Sequence, residues 1–576
     1  MADDNDSFIS DVMDKVEVHL EAMQPLRDRW EADYSAYRLD PFNSNEDGGD
    51  AFRNYTSNEP RTVADRIHAW LAASQMIARV PHSGGTRDSR EPDDAKERFI
   101  LGLLRAADER LKRRLQPLVK NQLAWYIPIR GWYAGRAMLV NRKDGTSYVD
   151  ITPWDPLHTH WGLDDDGVEW ACYRIRKTRR DLFQEYGWDV PRKGREGEDE
   201  GVWVYDYYNR EINAVFTQLG GPMLKEKTEH GSPRTPVFIG MVDTQPLIQS
   251  EETDDTIADY GESIFKPSRD IRAKQNLMLS IYLELAARAR EPTVLVTSRD
   301  GTKTLEKSPY ETAQELSLAE GDTIEPLSLL ETNKDAATVL SLISGEVQRG
   351  GLPHSVYGEL QFQLSGFAIN TLRQGIEGLL TMRVDAMEEA YRQIAGLLLD
   401  QFATGSFAPM RLSGRDMSRQ YFNETIGPEL LNGAGDLEIS FVAKLPQDDV
   451  AKWGQVKLGR EGPVPIVPDE WLREFVLGIQ DTDRLDDAVK AQMGERMLPQ
   501  AALLTVMQAL EERGRGDLAK LYLMELLKLM MPQALGMGAG GGMGGGNGNA
   551  SAPGGMGVPP QASPPQALGA PRPIPT

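Results

Sequence analysis

The sequence predicts an α+β fold, because three kinds of segment follow one another along the chain. The longest helical pattern runs from Ile369 to Leu398, with apolar residues at steps of three and four that draw one stripe on a helix. Between 131 and 175 the pattern changes to short apolar runs separated by turn residues, typical of an antiparallel β-meander. Two more helical patterns, at 268–290 and 333–352, flank a short segment with strand character.

The composition describes a folded, strongly acidic protein. The chain has 576 residues, of which 40% are hydrophobic, and a formal net charge of −23. That charge argues against gripping nucleic acid by phosphate neutralisation, which needs Lys and Arg facing the polyanion. The single cysteine, Cys172, excludes intrachain disulfides and predicts a buried apolar thiol. The N-terminus is acidic and no apolar run approaches about 18 residues, so we expect neither export nor membrane insertion.

An acidic helix is predicted at the N-terminus. Residues 1–60 contain 15 Asp or Glu against five Lys or Arg, and apolar residues recur there at helical spacing. We expect a surface helix with one solvated acidic face. Its apolar positions are Phe8, Val12, Val16, Leu20 and Met23.

Two more helices are predicted at Thr62–Val80 and Lys96–Trp125, and the second carries a basic run. The run consists of Arg110, Lys112, Arg113 and Arg114. In a chain this acidic, a solvated face or an ion-pair strip between subunits is favoured over a contact with nucleic acid.

The β-meander contains two groups of residues that could be taken for metal ligands. The acidic segment Asp164–Gly167 lacks the alternating ligand spacing and the distal glutamate of a calcium loop, so a hairpin turn is favoured. His158 and His160 have no third ligand nearby, which favours an ordinary polar strand over a metal site.

A short helix, further strands and a helix with broad apolar coverage follow. The short helix, Thr178–Tyr186, is expected to end at Gly187, and strands are predicted at Gly201–Gln218 and Thr235–Asp243, joined by a charged link. Ser268–Arg288 has apolar residues on more than one face, which predicts packing on two sides, as in a ring of helices. The residues predicted at that subunit interface are Leu277, Leu279, Ile281 and Leu283.

The remaining segments alternate between strand and helix before an irregular end. Thr293–Thr297, a turn and residues 302–305 are predicted to form a strand and its return, and 437–445 another strand. Residues 448–531 are predicted to be helical. Residues 532–576 are rich in Gly, Met, Pro, Ala and Ser without periodicity, so we expect them to be disordered.

Sequence motifs for enzyme chemistry are missing. The chain has no Walker loop, nucleophile elbow, Cys/His cluster or His-Glu-x-x-His pattern, and its carboxylates form no pair with a readable role. We therefore expect neither enzyme activity nor a cofactor. The alternative is a soluble hydrolase or nucleotide-binding enzyme whose motif is not recognisable.

The order of the elements resembles the portal protein of tailed bacteriophages, the head-to-tail connector at one capsid vertex. The resemblance covers about residues 5–530 and depends on the order of several segments. These are Val149–Pro156 with Gly162–Gly167, Gly261–Phe265, the insertion after Pro292, Leu364–Ile369 with the long helix after it, and Leu445–Asp448.

The resemblance implies the phage portal architecture, with a mixed α/β wing, a two-helix stem, a small β-containing clip, a long bent helix and a helical crown. The implied segments are the wing 1–267, stem helices 268–290 and 333–352, the clip 291–332 between them, the channel loop 353–366, the long bent helix with a return wing strand 367–447, the crown 448–531 and the tail 532–576.

The resemblance also implies a function and partners. The family forms a homo-oligomeric ring of twelve subunits that conducts double-stranded DNA during packaging and ejection and nucleates procapsid assembly. The implied partners are the large terminase subunit, the neck or adaptor proteins, and the major capsid and scaffolding proteins, with no membrane. The protein would be found in the virion and, during assembly, in the host cytoplasm.

Two further groups of residues are predicted to make the contacts of the channel and the clip. The channel loop has no Lys or Arg, so we expect it to slide along phosphates without gripping them. Its predicted DNA-facing residues are His354, Tyr357, Glu359, Gln361, Phe362, Gln363 and Ser365. Docking of the terminase and neck proteins is predicted at Arg299, Asp300 and Lys303 of the clip.

Overall fold

The structure is a computed structural model that describes most of the chain up to residue 442 and scattered residues between 454 and 527, which are helical. Helices and strands are both present, so the predicted α+β class is confirmed. The chain divides into two compact units, Met1–Gln447 and Asp448–Thr576. In the first unit, the described stretches are 2–43, 53–81, 91–188, 201–217, 222–243, 245–246, 257–290, 294–297, 321, 323–326, 333–351, 366–416 and 420–442.

The described helices of the first unit include the predicted N-terminal helix (α1) and the predicted long helix (α9). In chain order they are α1 Ala2–Ala22, α2 Gln24–Arg38, α3 Glu59–Ala73, α4 Glu91–Arg113, α5 Val119–Arg130, α6 Arg179–Tyr186, α7 Arg269–Arg290, α8 Asn333–Gly350 and α9 Gly366–Ala403.

The described strands pair antiparallel throughout. In chain order they are β1 Gln75–Arg79, β2 Trp132–Asn141, β3 Ser147–Trp154, β4 Thr159–Asp164, β5 Gly167–Lys177, β6 Val202–Asn209, β7 Ile212–Thr217, β8 Met223–Glu229, β9 Val237–Met241, β10 Val294–Thr297, β11 Thr323–Pro326, β12 Met410–Arg415, β13 Tyr421–Ile426 and β14 Glu438–Val442. They form a five-stranded sheet β4-β5-β6-β7-β8, a three-stranded sheet β3-β2-β9, and the two-stranded sheets β1-β14, β10-β11 and β12-β13.

Helix α1 covers one face of the five-stranded sheet. Ile9, Val12 and Val16 of α1 are buried against Cys172 and Tyr205 of the sheet. The predicted amphipathic helix and the predicted burial of the cysteine are therefore confirmed.

The three-stranded sheet covers the other face of the five-stranded sheet. Ala171 and Tyr208 point away from α1, because side chains alternate along a strand. They pack with Ala134 of β2, and Arg136 of β2 pairs with Asp206 of β6 at 2.9 Å. The two sheets therefore lie face to face.

The main core lies on the far side of the three-stranded sheet. Leu139 of β2 and Ile151 of β3 join a buried cluster formed with α3, α4, α5 and α9. Within it, the rings of Phe99 in α4 and Phe402 in α9 lie with centroids 4.4 Å apart. The first unit thus stacks α1, the five-stranded sheet, the three-stranded sheet and a helical layer in that order.

Most of the apolar stripe predicted along the long helix is buried where its side chains are described, and Ile376 and Val384 are half-buried. Leu380, Met387, Ile394 and Leu398 are at most 2% exposed. Helix α9 has 38 residues, which at 1.5 Å each gives about 57 Å. One element therefore contributes to the core along much of the first unit.

The predicted end of the short helix at Gly187 and the predicted hairpin turn at Asp164–Gly167 are confirmed, and the N-cap of the helix was not predicted. Thr178 caps α6 in a reciprocal capping box with Asp181, and Gly187 ends the helix at φ 69°, a conformation that glycine adopts without strain. Strand β4 ends at Asp164 and β5 begins at Gly167, so the acidic segment between them is a hairpin turn.

The helix predicted to reach Val80 is wrong at its C-terminal end. Helix α3 ends at Ala73, and the next residues form β1. This strand pairs with β14, with Gln75 opposite Val442. The sequence Gln-Met-Ile-Ala-Arg is compatible with helix or strand, and pairing with a strand near the other end of the unit decides the outcome.

Two other segments differ from their predictions. The helix predicted at Lys96–Trp125 is interrupted, because α4 ends at Arg113 and the chain turns through Leu115 at φ 57° before α5 begins. The charged link between the strands at 201–218 and 235–243 contains β8, which pairs with β7. The last five residues of β8 are all exposed, and an exposed edge strand tolerates charged side chains, so charge alone did not exclude a strand there.

Candidate assembly interface

Helices α7 and α8 pack against each other, and the β10-β11 ribbon is inserted between them in sequence. We call α7 and α8 the helical pair. Of the residues predicted at a subunit interface, Leu277 and Leu283 are 42% and 41% exposed, and Leu279 and Ile281 are half-buried. All four lie on α7, and their contact with another subunit stays a prediction.

Apolar exposure continues on the neighbouring elements. Tyr282 of α7, Val339 and Leu342 of α8 and Leu295 of β10 are also exposed. Scattered single apolar residues are common on protein surfaces, but a group on adjacent elements indicates an interaction surface. Leu277 and Leu283 of this group were predicted at a subunit interface, whereas the exposed residues of α8 and β10 were not.

The other predicted site residues cannot be placed. The channel-loop residues from His354 to Ser365 lie outside the described residues, as do Arg299, Asp300 and Lys303 of the predicted clip. The predicted return strand at 302–305 also lies outside them, and the described partner of β10 is β11.

A buried ion pair anchors the first turn of α7 to α2. Arg269 donates from Nε to Oδ1 and from Nη2 to Oδ2 of Asp33, both at 3.1 Å. Ser263 Oγ donates to the same carboxylate at 2.6 Å. Asp33 is 1% exposed, so its charge depends on these partners rather than on water.

A second arginine ties α2 to the chain that leads into α7. Arg29 donates to the carbonyl oxygens of Ala258, of Tyr260 at 3.0 Å and of Gly261 at 2.9 Å. Burial lowers the pKa of Arg29 to about 10, against the opposing effect of nearby Asp33. The guanidinium stays charged at neutral pH and holds the segment 258–261 against α2.

An extended segment before α3 runs along α7. The Tyr55 N–H donates to Ser280 Oγ at 2.9 Å, and the Ser57 N–H donates to Asn276 Oδ1 at 3.0 Å. Side chains of α7 thus satisfy backbone donors of this segment. Together with Asp33, they fix the N-terminal half of α7 on the body of the first unit.

The C-terminal end of α8 packs beside the start of α7. A Cβ atom added at Gly350 would lie 2.7 Å from the Cβ of Pro267, just before α7. Such a distance requires glycine or a shift of the backbone. Both helices of the pair are therefore attached to the body at one end, and the exposed apolar side chains lie along them.

Sequence reasoning missed this anchor, because its two charged partners are 236 residues apart. One local signal could have found it. Leu26, Trp30 and Asp33 are spaced by four and three residues, so they share a helical face. A carboxylate on a face with two buried apolar residues predicts a buried cationic partner.

A pocket of about 890 Å³ lies between the sheets and α9. Its lining includes the apolar Trp132, Trp161, Val237, Ile239 and Leu397. Three arginines also line it, and each pairs with a carboxylate: Arg210 with Asp164, Arg234 with Asp400, and Arg392 with Glu389. The cationic groups of the pocket are therefore already neutralised within the chain.

A histidine pair joins α1 to the five-stranded sheet. The Nδ1 atoms of His19 and His160 lie 3.3 Å apart, so one ring donates and the other accepts. Burial, with a smaller effect of Arg27, lowers the pKa of His19 to about 4. Burial also lowers the pKa of His160 well below its usual value. His160 was predicted to be an ordinary strand residue, and its partner on α1 was not foreseen.

Neither a metal cluster nor a membrane span is found in the described part of the chain. No three described His, Cys, Asp or Glu residues come together in a way that could hold a metal ion. None of the described helices combines the length and the apolar character needed to cross a bilayer.

Comparisons with known proteins give a weak structural similarity and no sequence match. No protein-family model matches the chain, and no curated protein does. The neck of a native gene transfer agent particle computed with C12 symmetry is 12% identical, with a TM-score of 0.35 over 73% of this chain and 89% of that one. The neck of an empty particle computed with C6 symmetry is 12% identical, with a TM-score of 0.38 over 73% and 90%. The virion of a native gene transfer agent particle is 12% identical, with a TM-score of 0.38 over 73% and 89%. Similarity at this level does not establish a shared function.

Proposed function

We propose that the protein is a portal-type structural component of a tailed-phage-like virion, which forms a ring and conducts double-stranded DNA. The observation that carries the proposal is the helical pair, which is anchored to the body at one end and exposes apolar side chains such as Leu277 and Leu342. The order of elements in the sequence supports the same assignment, with the helical pair, an insertion within it and a long helix after it.

A second copy of the chain is the partner that suits this surface. An isolated chain leaves several large apolar residues of α7, α8 and β10 partly in water. Burying the exposed part of each contributes about 1 kcal/mol, because burying a fully exposed side chain contributes roughly 1.5–3 kcal/mol. In a closed ring every subunit offers the same two sides to its neighbours, so one surface is covered in all copies.

The charge of the chain is compatible with a conduit for DNA. At −23 per chain, a ring carries a large negative charge that repels phosphates at long range. A channel wall without Lys or Arg in the loop 353–366 would let the duplex slide with little release of counterions. In this proposal the loop forms the narrow part of the channel.

The remaining roles follow from the same proposal. Residues 291–332 would dock the terminase and later the neck proteins, 1–267 and 367–447 would form the wing, and 448–531 the crown. Capsid and scaffolding proteins would contact the ring during procapsid assembly. The protein would then remain at one vertex of the virion.

The oligomeric state of the purified full-length chain tests the proposal. We expect native mass spectrometry to give a particle close to twelve subunits, and electron micrographs to show closed rings with a central opening. A monomer or dimer at micromolar concentration would overturn the proposal. A monomer that retains a bound nucleotide or other cofactor would favour the enzyme alternative.

A further inference from the structure

Two surfaces of opposite charge lie on opposite sides of the first unit. Helix α1 packs on the outer face of the five-stranded sheet. Helix α4 belongs to the helical layer beyond the three-stranded sheet. Both sheets therefore separate α1 from α4. A ring built from head-to-tail contacts needs two complementary surfaces on different sides of each subunit, because every subunit contacts one neighbour with each side.

The first surface is a stripe along α1. At about 100° per residue, its members fall within roughly 120° of the helix circumference, opposite the buried Val12 and Val16. All of them are exposed, and Val18 is 67% exposed. We call this the acidic stripe, and it consists of Asp11, Asp14, Glu17, Val18 and Glu21.

The second surface is the C-terminal end of α4 and the turn after it. We call it the basic tip, and it consists of Lys112, Arg113, Arg114 and Leu115, all exposed. No carboxylate of a described residue lies within ion-pair distance of its three cations, and Lys112 and Arg114 act on Asp108 and Asp150 only from further away. Beside it, Arg110 pairs with Asp150 at 3.7 Å. Arg142 lies 4.9 Å from the centre of the Tyr148 ring.

Leu115 is an unusual residue for its position. Its φ of 57° is the left-handed conformation that glycine usually provides after a helix. The Leu115 N–H donates to Lys112 O at 3.0 Å, and the Gln116 N–H donates to Leu111 O at 2.9 Å, so the turn is well formed. Yet the side chain is 95% exposed and gains little from packing with the described residues. A leucine that is unfavourable for the backbone and exposed to water indicates a contact outside the chain.

We propose that the basic tip of one subunit binds the acidic stripe of the next subunit, with Leu115 packing against Val18. This inference rests on the proposed ring and names the surfaces that close it. Each surface places one exposed apolar residue among charges of one sign, and the signs are opposite. Contact would therefore pair charges around a small apolar centre, the usual arrangement of a polar rim around a buried core.

Nucleic acid is a poorer partner for the basic tip. Phosphates would suit its three cations, but they provide no apolar group for Leu115. A chain with a net charge of −23 also repels a polyanion at long range, whereas α1 of a second copy offers carboxylates and Val18 on one face. The carboxylates of the acidic stripe would not bind DNA either, because phosphates carry the same sign of charge.

The substitution Leu115→Gly tests the effect of the side chain on ring assembly without destabilising the folded chain. Leu115→Gly keeps a backbone that suits φ 57°, so the thermal midpoint of the dissociated chain should stay the same or rise. The concentration at which half of the protein forms rings should increase about tenfold or more, because an apolar contact is lost. Leu430→Ala, at another exposed leucine, should leave this concentration unchanged. An unchanged concentration for Leu115→Gly would overturn the proposed contact.

Charge exchange tests the pairing of the two surfaces. Arg113→Glu with Arg114→Glu should weaken ring formation at least about tenfold at roughly 0.1 M salt, and so should Asp14→Arg with Glu17→Arg. Combining all four substitutions should restore most of the assembly. The matched control is Arg411→Glu with Arg415→Glu on β12, which makes the same change in net charge at exposed positions and should have little effect.

The outcomes distinguish this inference from the proposed function. If the wild type forms rings and neither reversal alters them, the contact is wrong and the ring stands. If the arginine reversal leaves the rings intact but lowers binding to duplex DNA in a gel-shift assay, the basic tip is a nucleic-acid surface and the contact is wrong. A wild type that stays monomeric overturns the ring and the contact together.

Discussion

Arg269 donates two hydrogen bonds of 3.1 Å each to the Asp33 carboxylate, and this pair joins the first turn of α7 to the middle of α2. Asp33 is buried, whereas the Arg269 side chain is 31% exposed and can be hydrated when its partner is removed. We therefore expect Asp33→Ala to lower the free energy of unfolding of the first unit by about 1.5–3 kcal/mol, the contribution of hydrogen bonds to a charged group, measured by denaturant titration with tryptophan fluorescence.

The matched control for this substitution is Asp65→Ala. Asp65 pairs with Arg61 at 2.9 Å on the surface of α3, and both side chains are about half exposed. Exposed pairs of this type contribute about 0.3–0.5 kcal/mol. Equal losses in the two variants would show that the anchor does not depend on its burial.

Leu277→Glu combined with Leu283→Glu tests the helical pair as a subunit interface. The leucines are 42% and 41% exposed in the single chain, so each substitution should lower the stability of the dissociated protein about as much as Leu430→Glu does, and the effect on assembly is measured relative to that control. Burying the new carboxylates between subunits should cost several kcal/mol, and rings should dissociate in analytical ultracentrifugation. If the double variant sediments as the wild-type ring, these residues lie outside the interface. Leu430→Glu, at a leucine of similar exposure, provides the control.

Gln361→Lys combined with Gln363→Lys tests the predicted channel loop. The substitution would place two cations per subunit around the narrow part of the channel, where they would attract phosphates in a salt-dependent way. Rings should assemble normally, while DNA packaging or retention should acquire an ionic-strength dependence that the wild type lacks. Packaging that is unaltered at every salt concentration, with rings of normal size, would place the loop away from the DNA.

The histidine pair predicts a pH dependence for the docking of α1. Burial lowers the pKa of His19 to about 4, whereas an unfolded histidine titrates near 6.5. The unfolded chain therefore binds more protons below about pH 6.5, and stability falls as the pH decreases towards 4. For His19 alone the loss should reach about 2 kcal/mol by pH 5, and His160 should add to it because its pKa is lowered in the same direction.

Unfolding measured between pH 7.5 and about 5 isolates this effect, because few carboxylates titrate in that range. His19→Gln should flatten the pH dependence while preserving a polar side chain. The control is His68→Gln, because His68 is half-buried and donates from Nε2 to the Asn121 carbonyl oxygen at 3.2 Å. A slope that survives His19→Gln but disappears in the control would exclude the His19–His160 pair as its source.

Much of the local structure could be predicted from the sequence. The apolar stripe of α9, the end of α6 at Gly187 and the hairpin ending at Gly167 all depend on residues within a few positions of one another. Periodicity, capping and turn geometry act over that distance. The same holds for α1, whose buried and acidic faces are both visible in its spacing.

Only the tertiary structure decided which distant segments meet. Strand β1 was predicted as the end of a helix, because its partner β14 lies at the other end of the first unit and strand pairing can override weak local preference. The Asp33–Arg269 pair and the His19–His160 contact likewise join residues far apart in sequence. The sequence by itself determined that α1 is acidic and the end of α4 basic. Packing alone places α1 and the end of α4 on opposite sides of the two sheets. The order of the layers depends on which face of each sheet is buried against which neighbour, and the sequence of one strand does not specify that neighbour.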